Sequence, residues 1–148
     1  MKASVPNIVI TQVYQVPKER LWTAITDLEE MRQWYFPNLP AFEPRLGFKT
    51  SFNVEAPSRD FLHQWEVTEV EEGKYIAYSW EYPDMEGLAF VSFLLEEVTV
   101  DTSKLTLIDH IVEDFPSKYP EFQRESGVEG WTYFIKERLK NYLESSKK

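Results

Sequence analysis

Cysteine is absent from this 148-residue sequence, and glycine occurs only five times. Without cysteine the chain has no disulfide framework, no thiolate nucleophile and no cysteine-based zinc site. Five scattered glycines provide no phosphate-binding loop and no glycine repeat. Since histidine occurs only twice as well, we expect neither a metal ion nor a cofactor.

Long apolar runs and an excess of basic residues are also missing. The longest apolar stretch, 88–95, is interrupted by Ser92 and is far shorter than the ~20 residues of a membrane span. The N-terminus carries no apolar run long enough for a secretory signal. The formal net charge of −9 disfavours nucleic acid and anionic membranes as partners. The sequence therefore predicts a cytoplasmic protein with no nucleic-acid partner and no membrane span.

The remaining composition is that of an ordinary globular protein. Apolar residues make up 43% of the chain, charged residues 28% and aromatic residues 16%. A length of 148 residues falls in the usual size range of one domain and is enough to bury a sizeable core. We therefore expect a single domain over residues 1–148, with its core at about 8–145.

Hydrophobic periodicity predicts the order of the elements. Apolar residues at helical spacing after Pro17 indicate two short helices, broken near Thr26 and Asp27. The prolines between Pro37 and Pro44 indicate an irregular, exposed segment. Alternating or β-branched residues predict one strand before these helices and five after them, joined by short turns as in an antiparallel meander. The predicted strands cover residues 8–16, 48–54, 61–70, 75–80, 88–98 and 105–112.

The C-terminal part of the sequence predicts a long amphipathic helix. Ser126 and Glu129 have the spacing of a capping box at its start. One face carries an apolar stripe, and the charged residues lie mostly off it. Helices and strands are thus segregated along the chain, which favours an α+β domain. The stripe consists of Val128, Trp131, Ile135, Leu139, Tyr142 and Leu143.

Six short motifs, taken in their order along the chain, resemble one known family. The chain is similar over about residues 8–145 to bacterial homologues of the activator of the heat-shock protein 90 ATPase. Those proteins belong to the superfamily that includes the major birch-pollen allergen and the steroid-transfer lipid-binding domains. The motifs are Pro17-x-x-x-Leu21-Trp22, Gly47-Phe48, Trp65-x-Val67, Ile76-x-Tyr78-x-Trp80, Leu105-Thr106-Leu107 and Gly130-Trp131.

The resemblance implies the helix-grip fold. In this fold a curved antiparallel sheet wraps around a long C-terminal helix, and two short helices follow the first strand. The resemblance also implies a cavity between sheet and helix that holds an apolar ligand. One position departs from the family pattern: where many relatives carry histidine after the Leu-x-Leu strand, this chain has Asp109 followed by His110.

Asp109 and His63 are the polar candidates for such a cavity. Asp109 follows Leu105 and Leu107 at the period of a strand, so it should share their face unless a bulge turns it to water. A buried carboxyl group there would have a raised pKa suited to acid or base chemistry. His63 lies among apolar residues of its strand, where it either orients a ligand or is a hydrogen-bonded inner-face residue. His110 should point away from Asp109, which argues against a dyad of these neighbours.

Aromatic side chains are the apolar candidates. Each ring buries ~150–250 Å², so these residues either line the cavity or narrow and close it as plain core. The predicted ligand-binding residues are Phe52, His63, Trp65, Tyr78, Trp80, Phe90, Asp109, Trp131 and Ile135.

Three functional hypotheses follow, in order of preference. The first is non-catalytic binding of a small hydrophobic ligand, apolar or aromatic, and neutral rather than anionic because the chain is acidic. The second is an enzyme of the polyketide cyclase or dehydratase kind, with His63 and Asp109 as its acid–base pair. The third is a co-chaperone-like interaction module with a chaperone partner. That module requires an exposed apolar patch, for which the segment from Phe36 to Phe42 is the candidate.

Overall fold

A computed structural model describes residues 2–3 and 6–145 of the chain. Its six strands form one antiparallel sheet in the order β1-β6-β5-β4-β3-β2. Strands β2 to β6 follow one another as the predicted meander, and β1 returns to pair with β6. The strands are β1 (Ile8–Tyr14), β2 (Lys49–Glu55), β3 (Asp60–Glu71), β4 (Tyr75–Trp80), β5 (Leu88–Thr99) and β6 (Thr102–Glu113).

Two short helices, α1 (Lys18–Thr26) and α2 (Leu28–Trp34), connect β1 to the meander. The predicted break between them is confirmed at Asp27, whose backbone is extended rather than helical. The Asp27 carboxylate accepts a hydrogen bond from the backbone N–H of Glu30, so it caps the second helix. The aspartate therefore both ends one helix and begins the next.

The C-terminal helix is continuous but not uniform. A 3₁₀ turn at Pro120–Phe122 precedes α3 (Arg124–Thr132), a π-helical segment follows at Tyr133–Arg138, and the chain continues as α4 (Leu139–Ser145). The Tyr14 hydroxyl donates to the Ile135 carbonyl and so joins β1 to the π-helical segment. The predicted apolar stripe is confirmed, because Trp131, Ile135, Leu139 and Leu143 are all buried.

The predicted capping box at the start of this helix is wrong. The helix begins at Arg124, two residues before Ser126. The Ser126 hydroxyl donates instead to the carbonyl of Pro120 in the preceding 3₁₀ turn. The 3₁₀ turn therefore leads directly into the helix, which begins nearer the N-terminus than the capping-box spacing predicts.

The buried stripe of the C-terminal helix packs against one face of the sheet, here called the inner face. This curved sheet with its long helix is the helix-grip fold, as predicted. The alternation predicted for β2 and β3 is confirmed, since Phe52 in β2 and Phe61, His63, Trp65 and Val67 in β3 are buried while their immediate neighbours along each strand are not. Within residues 2–3 and 6–145, no helix is both long and apolar enough to span a membrane.

The segment that follows α2 is irregular, as predicted, but it is not an exposed apolar patch. Leu39 is completely buried, and Phe36 and Phe42 are each less than 10% exposed. The Phe36 ring contacts Phe52, and the Phe42 ring contacts Tyr78, both on the inner face. Their three-residue spacing places all three side chains on the side of the segment that faces the core. The surface on which the co-chaperone hypothesis depended is therefore absent at this segment.

Candidate ligand-binding site

Aromatic side chains fill the centre of the inner face. The Trp65 ring lies 4.7 Å from Tyr78 and 4.9 Å from Phe52, measured between centroids. The Tyr35 hydroxyl is hydrogen-bonded to that of Tyr78 at 2.9 Å. Ile135 packs into the same cluster from the helix and is fully buried. The structure therefore places four of the predicted ligand-binding residues, Phe52, Trp65, Tyr78 and Ile135, in solid packing rather than in a cavity wall.

Phe90 lies on the opposite face of the sheet, and its assignment to the inner face is wrong. Its neighbours in β5, Ala89 and Val91, are buried, whereas Phe90 is only half-buried and lies with Ser92 and His110 on the outer face. The physical reason is that β5 is apolar on both faces. Alternation therefore does not show which of its residues face the helix.

His63 is buried on the inner face as a neutral, packed side chain. Its Nδ1 lies 2.9 Å from the Phe61 carbonyl oxygen. Because a carbonyl oxygen only accepts hydrogen bonds, the neutral ring carries its proton on Nδ1 and donates it to Phe61. Burial lowers its pKa to about 4. Aromatic rings surround it, including Phe52 at 5.2 Å and Tyr82 at 4.8 Å between centroids. It belongs to the core beside the cavity and does not form part of the cavity wall.

A cavity of about 140 Å³ lies at one end of the sheet, between β4–β6 and the start of the C-terminal helix. Three of the predicted residues, Trp80, Asp109 and Trp131, form part of its wall. The other lining residues are Phe36, Tyr82, Ala89, Phe115, Glu121, Phe122, Ser126, Gly127, Gly130 and Phe134.

Asp109 is the buried charge of this cavity. Its side chain is 5% exposed, and its Oδ2 accepts a hydrogen bond of 3.0 Å from the Trp131 indole N–H. Among the described residues, its Oδ1 has no hydrogen-bond partner. Burial raises the pKa of Asp109 to about 6, against the opposing effect of the Trp131 hydrogen bond. The carboxyl group is thus held by one oxygen and unsatisfied at the other.

The charged groups in the cavity wall are acidic. Glu121 is bonded to Ser58, which donates to it both its backbone N–H and its hydroxyl. Arg59 lies nearby but is paired with Asp84 and Tyr119. The thirteen lining residues, all in the described part of the chain, include two carboxylates and no lysine, arginine or histidine.

Aromatic rings and one glycine complete the wall. The Trp80 and Trp131 rings lie 5.5 Å apart between centroids and meet edge to face. The Trp80 N–H donates to the Tyr82 hydroxyl at 2.9 Å, so this ring is fixed in place. A Cβ atom added at Gly130 would meet no atom within 4 Å. The helix therefore leaves open space at Gly130, which is one of the lining residues of the cavity.

Comparison with known proteins identifies the family. Over residues 15–144 the chain matches the family model described as "Activator of Hsp90 ATPase homolog 1-like protein". This chain belongs to that family. The family is known for ligand binding and for members that resemble polyketide cyclases. No curated protein sequence matches the chain.

Solved structures share the fold of this chain. Protein CV1439 from Chromobacterium violaceum is 19% identical and superposes with a TM-score of 0.76 over 93% of this chain and 96% of its own. The Aha1 dimer from Colwellia psychrerythraea is 17% identical, with a TM-score of 0.74 over 97% and 100%. DynU16, from the dynemicin biosynthetic locus, is 22% identical, with a TM-score of 0.73 over 95% of this chain and 48% of its own. At these identities the likeness shows the fold.

Most of the cavity wall of this AHSA1-like protein escaped the sequence analysis. Tyr82, Phe115 and Phe122 lie outside the strands and the long helix, so no periodicity marks them. A signal was present in the helix, where Gly127 and Gly130 stand three residues apart and therefore share one face beside Trp131. Two glycines on one face of a helix leave room against the neighbouring layer.

Proposed function

We propose that this protein binds a small apolar ligand, about the size of one aromatic ring, in the cavity beside Asp109, and that it does so without catalysis. One observation carries the proposal: an aromatic-walled cavity that contains a buried carboxyl group with a free oxygen. Ligand sites are commonly apolar pockets with a few placed polar groups, which is the composition of this wall.

The size of the cavity limits the ligand. An engineered protein cavity of ~150 Å³ binds benzene. The cavity here has about 140 Å³, so a single ring with one short substituent fills it. Sterols and long acyl chains are too large to be enclosed by this space, which is partly open to solvent. We therefore narrow the ligand class from hydrophobic molecules in general to single-ring compounds.

The expected affinity is modest. Small ligands gain at most ~1.5 kcal/mol per non-hydrogen atom, and most gain much less. A compound with one ring and a short substituent should therefore bind with a dissociation constant on the order of micromolar to millimolar. An assay therefore needs a large excess of ligand to fill the site.

A thermal-shift screen tests this proposal. Phenol, indole and benzyl alcohol should raise the melting temperature by mass action, with ~2.7 kcal/mol gained at a hundredfold excess over the dissociation constant. Decanoate and cholesterol should produce no shift.

Two leucine substitutions separate cavity binding from other effects. Gly130→Leu fills the open space at the wall and should abolish the shift, although leucine favours the helix more than glycine does. Glu129→Leu places the same side chain at the neighbouring exposed position and should leave the shift intact. The proposal fails if no single-ring compound stabilises the protein, or if Gly130→Leu responds like Glu129→Leu.

A cyclase-like enzyme remains the second candidate, favoured by the carboxyl group of Asp109, whose pKa lies near neutrality in an apolar wall. His63 does not line the cavity, so Asp109 would act without the predicted partner. Turnover of an aromatic β-hydroxyketone by the wild type, lost in Asp109→Asn, would favour this function over binding alone.

A further inference from the structure

We infer that the ligand carries an ammonium group, which Asp109 binds through its free carboxylate oxygen while the surrounding aromatic rings enclose the rest of the cation. This inference rests on the proposed function and refines the chemical class of its ligand to a small primary amine on a single ring, whose apolar ring fills the cavity.

The first argument is the unsatisfied oxygen. Asp109 is only 5% exposed, and its Oδ1 has no hydrogen-bond partner among the described residues. A buried carboxylate oxygen without a donor loses its solvation and gains nothing in return. Trp131 supplies a neutral donor to the other oxygen, and the charge effects of His110 and Arg124 lower the pKa of Asp109 by less than burial raises it. A ligand ammonium group would supply both the missing hydrogen bond to Oδ1 and a positive charge opposite the carboxylate.

The second argument is the sign of the charge around the cavity. Asp109 and Glu121 are the charged side chains among the lining residues, and no cationic side chain shares the wall with them. An anionic ligand would meet the buried carboxylate of Asp109, where charges are poorly screened, whereas the carboxylate of Glu121 is partly exposed to solvent and adds little. A cation meets an attractive field from the same groups.

The third argument is the aromatic composition of the wall. Trp80, Trp131 and Phe134 contribute rings to the wall that also contains Asp109, with the Trp131 and Phe134 centroids 6.1 Å apart. The negative face of an aromatic ring attracts a cation within about 6 Å, and tryptophan does so most strongly. Rings and a carboxylate together are a common arrangement for binding organic ammonium groups.

A matched set of three ligands tests the inference. Benzylamine, benzyl alcohol and benzoate share one ring and differ in charge: cationic, neutral and anionic at neutral pH. By calorimetry at pH 7.5 in low salt, benzylamine should bind at least tenfold more tightly than benzyl alcohol, and benzoate should not bind.

Two carboxylate-to-amide variants isolate the role of Asp109. Asp109→Asn keeps an oxygen that accepts the Trp131 hydrogen bond, so folding should be retained, and circular dichroism checks this. The variant should lose at least tenfold in benzylamine affinity and change benzyl alcohol affinity less than threefold. Glu129→Gln removes one exposed negative charge from the same helix and should leave both affinities unchanged.

The wild type offers a second test that needs no variant. Because burial raises the pKa of Asp109 to about 6, the carboxyl group is mostly protonated at pH 5. Benzylamine affinity should therefore fall about tenfold from pH 7 to pH 5, while that of benzyl alcohol stays constant. Among the described residues, the groups that interact with Asp109 are His110 beside it on β6, Arg124 and Trp131 on α3, Tyr82 after β4 and Tyr35 after α2. Glu121 lies in the same cavity wall.

The outcomes distinguish this inference from the proposed function. If benzyl alcohol binds and Gly130→Leu blocks it, but benzylamine shows no preference and no pH dependence, the ammonium assignment is wrong and the cavity remains a site for neutral rings. If none of the three ligands binds, the ammonium assignment is wrong, and the proposed function falls with it when phenol and indole also fail to stabilise the protein.

Discussion

Asp109 and His63 are both buried on the inner face of the sheet, and burial moves their pKa values in opposite directions. It raises the pKa of Asp109 to about 6 and lowers that of His63 to about 4, because it disfavours the charged form of each. The raised carboxyl pKa makes the fold less stable as pH rises from about 3.8 to about 6. The lowered histidine pKa makes the fold more stable as pH rises from about 4 to about 6.5.

Replacing either group with one that does not titrate removes its contribution to the pH dependence of the free energy of unfolding. Relative to the wild type, Asp109→Asn should gain roughly 3 kcal/mol of stability from pH 4 to pH 7, and His63→Phe should lose about as much over the same range. Urea unfolding at pH 4, 5.5 and 7 measures both profiles. If the stabilities of both variants, relative to the wild type, change with pH in the same direction, the direction of the pKa shift is wrong for one of the two groups.

Two buried tryptophans form a natural comparison at the same scale. The Trp131 indole N–H donates to Asp109, whereas that of Trp65 has no partner among the described residues. Trp131→Phe and Trp65→Phe remove similar volumes, but only the first leaves a carboxylate oxygen without its donor. We therefore expect Trp131→Phe to cost about 1–3 kcal/mol more in the free energy of unfolding.

A carboxyl titration followed by NMR provides a second measurement for this pair. The Trp131 hydrogen bond lowers the pKa of Asp109, so Trp131→Phe should raise that pKa further. Trp65→Phe should leave it where it is. Equal costs of unfolding together with an unchanged Asp109 titration would show that the hydrogen bond contributes little.

At the scale of elements, the start of β5 depends on a glycine packed against the cavity wall. Gly87 has a φ of +114°, and a Cβ atom there would lie 2.1 Å from the Phe115 ring. Gly73, in the turn before β4, also has a positive φ, of +80°, but a Cβ atom there would meet nothing within 4 Å. The two glycines thus share an unusual backbone conformation and differ in their surroundings.

Alanine substitution separates these two effects. Gly73→Ala should cost only the backbone strain, about 1–2 kcal/mol. Gly87→Ala should cost a further ~1–3 kcal/mol, because Phe115 must move out of the way. Since Phe115 lines the cavity, ligand-induced thermal shifts should also shrink in Gly87→Ala and persist in Gly73→Ala. If Gly73→Ala and Gly87→Ala destabilise the fold equally, the Phe115 ring moves aside without a measurable cost in free energy.

At the scale of the whole molecule, the order of elements was predictable from the sequence. The alternation in β2 and β3 and the stripe of the C-terminal helix identify buried faces, because polar and apolar residues differ clearly there. The apolar run in β5 lacks that contrast, which is why Phe90 was assigned to the wrong face. The prolines near Pro37 indicate irregular backbone but not which way the side chains of that segment turn.

The position of the cavity was not predictable. The strand period leaves open whether Asp109 faces inward or a bulge turns it to water, and the structure places it on the inner face. Whether aromatic side chains enclose a space or fill it depends on how the layers meet, and residues such as Tyr82 and Phe122 come from connections whose path only tertiary packing fixes. Periodicity carries no information about these contacts.

The pairing of β1 with β6 has a consequence for synthesis of the chain. Ile8 lies opposite Asp109 in the finished sheet, about a hundred residues later in the sequence. Translation at ~5–20 residues per second leaves β1 without its partner for roughly 5–20 s. Over that interval an isoleucine-rich strand, with Val9 and Val13 on its other face, is open to pairing with other nascent chains. Of the strands in this sheet, β1 is synthesised before all the others and pairs with the one synthesised last.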